Sequence, residues 1–184
     1  MCVCVCVDTA IIQGGVQFDD VVMTADRVEL TNATGRCKVM GFEHASTYLG
    51  SGGDDAVRML GAESADTLVG DLNWLRMYGD GYDNYVNGYQ LASVNAVGGV
   101  DAFYLVDSNL DDLAVMRSGF ASLSNSLRSV VLTAFERQNI SSVNGGADSI
   151  RMYDSEWDDN LYSDANYTSL RNSETYHRVN GFAA

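Results

Sequence analysis

Short runs of alternating apolar and polar residues dominate this chain, and they return at a fixed spacing. The run Asp55-Ala56-Val57-Arg58-Met59-Leu60 sets Val57 and Met59 on one side and Arg58 on the other. The same inward pair reads Ala10/Ile12 earlier in the chain, then Phe103/Leu105 and Ile150/Met152. A period-two alternation held at one phase four times predicts a β-strand with one buried face. A second short strand in each unit carries Leu68, with counterparts Val21, Ala114 and Leu161. A third apolar stretch holds Leu75 and Met77, and a fourth holds Val86, matched by Val39, Leu132 and Val179. Spacing of three and four never persists over a helical length, so stacked-helix arrays fit poorly.

The period is set by an aspartate at Asp8, Asp55, Asp101 and Asp148, in steps of 47, 46 and 47 residues. A second aspartate follows each anchor by 11 positions, at Asp19, Asp66, Asp112 and Asp159. An aromatic residue follows each by 34, at Phe42, Tyr89, Phe135 and Phe182, directly after Gly41, Gly88, Ala134 and Gly181. The units are 8–54, 55–100, 101–147 and a partial one, 148–184, within one all-β domain. A four-stranded propeller blade has a similar length. The short strands, Gly-rich corners and small number of units favour a right-handed parallel β-helix, a β-solenoid, with the hand taken from the rule for parallel crossovers. Four or five strands per repeat imply about two coils of about 23 residues each, with same-phase side chains about 9–10 Å apart along the axis.

The run Gly145-Gly146-Ala147-Asp148-Ser149-Ile150-Arg151-Met152-Tyr153-Asp154-Ser155, followed by Asp159 and by Val179-Asn180-Gly181-Phe182, resembles a β-helix-forming repeat. That repeat, roughly GGxDxAxLYDSxGxDxF…VxGFxxVxAxA, occurs in very large secreted proteins of planctomycete-type bacteria. The third unit keeps Gly98-Gly99-Val100-Asp101 and Val106-Asp107-Ser108, and the second keeps Gly52-Gly53-Asp54-Asp55 and Val86-Asn87-Gly88-Tyr89-Gln90. The first unit departs most. It lacks the glycine pair before Asp8 and has Gly14 where later units have Asp107 and Asp154. The resemblance covers nearly the whole chain. It implies a β-solenoid in an exported protein and brings no catalytic residues.

Composition narrows the partners. There are 18 Gly and no Pro, as expected of many strands joined by glycine and Asx turns. A net charge of −14 and a pI near 4.2 make nucleic acid and anionic membranes poor partners. No apolar run approaches the ~18 residues of a membrane span. No signal peptide is visible at the first residues, so the extracellular or cell-surface setting rests on the resemblance.

The aspartate ladders have two readings. Each Asp can cap a turn by accepting backbone N–H groups. Alternatively, Asp55, Asp66, Asp101, Asp112, Asp148 and Asp159 can bind calcium, as glycine–aspartate β-rolls do. The aromatics Phe42, Tyr89, Phe135 and Phe182 read as an internal stack, or as a glycan-binding track if they face outward. Catalysis has little support. His44 and His177 occupy non-equivalent positions outside any nucleophile or zinc motif, and the carboxylate pairs Asp19-Asp20, Asp54-Asp55, Asp111-Asp112 and Asp158-Asp159 follow the repeat instead of breaking it. Sequons at Asn32, Asn139 and Asn166 are of a kind that arises by chance in such compositions.

Residues Cys2, Val3, Cys4, Val5, Cys6 and Val7 alternate as a strand, with the thiols about 6.8 Å apart, too far to share one zinc. Inter-chain or intra-chain disulfides, including Cys37, suit an oxidising setting. The last unit stops 37 residues in, and residues 1–7 fill the slot where a preceding unit would finish. These features imply head-to-tail stacking of a non-catalytic structural protein into a filament, with residues 1–7 added as a strand to a neighbour. The alternatives are a stalk segment of a large adhesin-like surface protein and a monomeric carbohydrate-binding or lyase-like β-helix.

Overall fold

The computed structural model describes residues 8–50 and 52–182. The segment Cys2–Val7 expected to join subunits therefore lies outside the described residues. The chain is an all-β solenoid of about five turns built from two facing sheets. In the first repeat, β1 (Thr9–Gln13) is followed by the meander β2 (Asp19–Thr24), β3 (Arg27–Asn32), β4 (Gly35–Met40), and then by β5 (His44–Tyr48). The second contains β6 (Ala56–Leu60), the meander β7 (Thr67–Gly70), β8 (Trp74–Gly79), β9 (Tyr82–Asn87), and β10 (Leu91–Asn95). The third contains β11 (Ala102–Val106), the meander β12 (Leu113–Arg117), β13 (Phe120–Ser124), β14 (Ser129–Thr133), and β15 (Arg137–Ser141). The fourth contains β16 (Ser149–Met152) and the meander β17 (Asn160–Ser163), β18 (Tyr167–Arg171), β19 (Tyr176–Asn180).

The ten-stranded sheet, the first sheet below, runs β1-β5-β9-β8-β7-β11-β15-β19-β18-β17. The nine-stranded second sheet runs β16-β12-β13-β14-β10-β6-β2-β3-β4. Pairing between strands of different turns is parallel, and pairing within each meander is antiparallel. Each meander enters two positions beyond the growing edge and walks back. The chain reaches β7 before β8, yet β9 is the strand laid beside β5.

One repeat therefore crosses between the sheets three times, making one and a half coils instead of the two expected. Successive repeats begin on opposite sheets: β1 and β11 on the first, β6 and β16 on the second. Each of the first three repeats contributes five strands divided between two sheets, an advance of two and a half strand positions or about 12 Å. Same-phase residues on one sheet, such as those of β1 and β11, stand five positions apart, about 24 Å, and not 9–10 Å. The difference comes from hairpins inside the repeat. The two-residue connections Asp80-Gly81 and Ser118-Gly119, with Gly81 at φ 77° and Gly119 at φ 67°, reverse the strand within one sheet.

The inward positions of both sheets form one continuous core, with Val21, Val57, Leu68, Phe103, Ala114 and Leu132 all buried. Ile150 and Met152 in the fourth repeat are only half-buried against it. Leu161, at the phase of Val21, Leu68 and Ala114, is 65% exposed because β17 lies beyond the last described strand of the second sheet.

Candidate functional site

The repeated aspartates meet at the corners where the chain passes from sheet to sheet. In each repeat the +11 aspartate accepts the backbone N–H seven positions after the anchor. Gly15 donates to Asp19 Oδ2 at 2.8 Å, Ala62 to Asp66 at 2.7 Å, Ser108 to Asp112 at 2.7 Å, and Ser155 to Asp159 at 2.6 Å. The N–H of the same aspartate donates to the anchor of the next repeat: Asp19 to Asp55, Asp66 to Asp101, and Asp112 to Asp148, at 2.6–2.9 Å. The anchor N–H in turn donates to a side chain 35 residues on, from Asp8 to Glu43, Asp55 to Gln90 and Asp101 to Glu136, at 2.7–2.8 Å. The carboxylates thus cap the corners and tie each repeat to the next. The Glu43/Gln90/Glu136 ladder escaped the sequence reading, although it directly follows the aromatic positions at constant spacing.

Backbone approach explains the glycine pair. Gly53, Gly99 and Gly146 have φ between 86° and 104°, and each lies against the backbone of the preceding corner. A Cβ at Gly99 would fall 2.6 Å from the Ala65 nitrogen. The small residue before each aromatic is left-handed as well: Gly41, Gly88 and Gly181 at φ 75–96°, and Ala134 at φ 64°. The bend delivers Tyr89 and Phe135 into the core. The Tyr89 hydroxyl donates to the Asp71 carbonyl at 2.6 Å, and Phe135 meets Phe103 edge-to-face at 5.5 Å. Phe182 is half-buried against the core, and Phe42 is 37% exposed.

These corners are costly places for charge. Burial raises the carboxyl pKa of Asp55, Asp66 and Asp107, and it lifts that of Asp101 to about 6, helped by the nearby charges of Asp66 and Glu136. In two repeats an asparagine from the meander reaches the +11 carboxylate, Asn32 to Asp19 and Asn172 to Asp159, and in the third Asn125 reaches the Ser108 hydroxyl that itself donates to Asp112. The second repeat has Gly79 there, and the Tyr82 ring packs against the space instead.

One corner differs. Asp107, Asp112 and Asp148 each bring a carboxylate oxygen to within 4.8 Å of the other two, the arrangement among the described residues that could hold a cation such as calcium. Asp107 was not among the expected ligands. It stands where the first two repeats have Gly14 and Gly61, whose Cβ positions would collide with the Asp19 and Asp66 carboxylates. It is also committed as a cap, accepting Val143 and Asn144 N–H at 2.9 and 3.0 Å. Of the other calcium candidates, Asp55 pairs with Asp19 and Asp66 with Asp101, while Asp159 bonds within its own repeat.

The histidines are apart. His44 stands outside the first sheet, 3.2 Å from Asp83, and His177 lies inside it, 2.8 Å from Gln138 Oε1, where burial lowers its pKa. Charge is segregated too. Ten of the eleven Lys and Arg lie on strands, whereas 21 of the 25 Asp and Glu lie in corners and turns. No family model, curated protein or solved structure matches the chain.

Proposed function

We propose that the chain is a non-catalytic, length-adding structural module, stacking end to end on copies of itself to build an extracellular fibre or surface stalk. The observation that supports this reading is the state of the core phase at the two ends of the described solenoid. Leu161 is 65% exposed at a position that is fully buried at Val21, Leu68 and Ala114. At the opposite end Cys37 is exposed, although its strand partner Leu30 is buried in the core. Edge strands β17 and β16 at one end, and β1 and β4 at the other, are each paired on one side among the described residues. Apolar faces and strand edges of this kind are what the repeats consume internally, and left open they invite addition of another unit. The extracellular setting is carried by the resemblance to secreted repeats. Calcium at the Asp107 corner would stiffen such a fibre.

Negative-stain electron microscopy over a range of concentrations, with and without reductant, tests the reading. Fibres that lengthen with concentration and fail to form after deletion of residues 1–7 are the expected result. Uniform rods of about 43 Å, nine strand spacings, at every concentration would overturn self-stacking and leave a stalk segment.

A further inference from the structure

The outer faces of the two sheets are unlike each other. Outward positions of the first sheet carry Tyr48, Trp74, Tyr78, Tyr85, Tyr104 and Tyr176, and the aromatic series continues on β17 and β18. On the second sheet the only aromatic among the outward positions of the described strands is Phe120. The repeat does not impose this asymmetry, since alternate repeats supply both sheets with the same strand types.

Two hollows lie in line along the aromatic face. The first, of about 370 Å³, crosses β5, β9, β8 and β7, with Trp74, Tyr85, Arg76, Asp83, His44 and Ser46 around it. Trp74 and Tyr85 stack at 6.0 Å with 25° between their planes, and Tyr48 leans on Tyr85 at 5.7 Å. Arg76 is held by Asp83 through Nε at 2.8 Å and Nη2 at 2.6 Å, and His44 Nδ1 approaches the same carboxylate. The guanidinium is therefore fixed in place, and its Nη1 makes no hydrogen bond among the described residues. The second hollow, of about 290 Å³, is bordered by Tyr104, Arg137, Asn139 and Tyr176. The two are separated by three to four strands, roughly 17 Å.

From this geometry we infer that the outer face of the first sheet binds a neutral polysaccharide laid along the solenoid axis, with one pyranose face against Trp74 and Tyr85. A pyranose presents an apolar C–H face flanked by hydroxyls. Aromatic rings accept the first, and fixed planar donors and acceptors such as the Arg76–Asp83 pair accept the second. The ion pair leaves the first hollow with no surplus charge, while the chain as a whole carries −14. A polyanion gains no unpaired cation in the first hollow, meets only Arg137 at the second, and is repelled by the acidic corners on either side. Tyr89 and Phe135 are buried, so the repeat aromatics do not form a glycan track, and the proposed track consists of the outward tyrosines and tryptophan. This inference holds for a single chain and is independent of stacking.

Affinity electrophoresis in gels containing hydroxyethyl cellulose or galactomannan, with polygalacturonate as the acidic comparison, tests it. The expected result is retardation by a neutral glycan, lost in Trp74→Ala and in Tyr85→Ala and retained in Phe120→Ala on the opposite sheet. Circular dichroism spectra matching the parent chain keep lost retardation from being a folding defect. Arg76→Gln, which leaves the platform intact, should weaken retardation without abolishing it. Retardation by neither glycan class, retardation by polygalacturonate alone, or equal loss in Phe120→Ala would each overturn the proposal.

Discussion

The meanders of the second and fourth repeats are built on one template and differ at their outermost strand. In β7–β9 the inward residues Leu68, Leu75, Met77 and Val86 are fully buried. In β17–β19 the equivalent Leu161 is 65% exposed, whereas Leu170, His177 and Val179 on the two strands nearer the core are buried. The strands pair in the same antiparallel way in both. The repeat therefore encodes strand phase and hairpin geometry, but burial is supplied by the neighbouring turns. Stability in such a protein belongs to the interfaces between repeats, as in other stacked-repeat architectures.

The sharpest way to break this comparison is paired truncation. Leu68→Ala should lower the unfolding free energy by about 2–5 kcal/mol, as buried leucines do, and Leu161→Ala should change it by less than about 0.5 kcal/mol. Chemical denaturation of both variants checks this. Equal effects would mean that the fourth meander is covered in solution.

A smaller effect is expected from the corner charges. The Asp101 carboxyl holds its proton up to about pH 6 in the folded chain, against an ordinary value of 3.8. A raised folded pKa stabilises at low pH, and that contribution is lost as the pH climbs through roughly 4 to 6. Thermal midpoints should fall between pH 4.5 and pH 7, and Asp101→Asn should flatten the fall. An unchanged slope in the variant would mean that other groups set it.

The smallest effect lies at Ala134, the non-glycine residue at positive φ among the described residues. Its counterparts are Gly41, Gly88 and Gly181. Ala134→Gly should relieve left-handed strain and stabilise by about 0.5–1 kcal/mol, read as a small rise in thermal midpoint. The converse Gly88→Ala should destabilise more than strain alone requires, because its Cβ would approach the Leu49 carbonyl at 2.8 Å.

What could be read in advance followed from local rules. The phase of Val57/Met59 and Phe103/Leu105, the fixed spacing of the aspartates and the Gly-aromatic step all depend on neighbours a few residues away, so alternation and turn chemistry reveal them. The number of coils per repeat did not follow, because a corner and a hairpin both appear as Gly- and Asp-rich punctuation. Asp80-Gly81 was the available clue, since that dipeptide favours a tight reversal. Nor could spacing alone show that Asp107 joins Asp112 and Asp148. Asp148 belongs to the next repeat, and it reaches the corner only because that repeat starts on the other sheet.

The odd number of crossings has a consequence for how such a chain can grow or be edited. A half-integral number of coils gives the repeat a parity. Inserting or deleting one unit turns everything downstream to the opposite side of the solenoid, whereas changing two units restores the facing. An aromatic face can then persist along one side only if odd and even repeats differ in sequence, so the unit that is inherited and the unit that is displayed are not the same length.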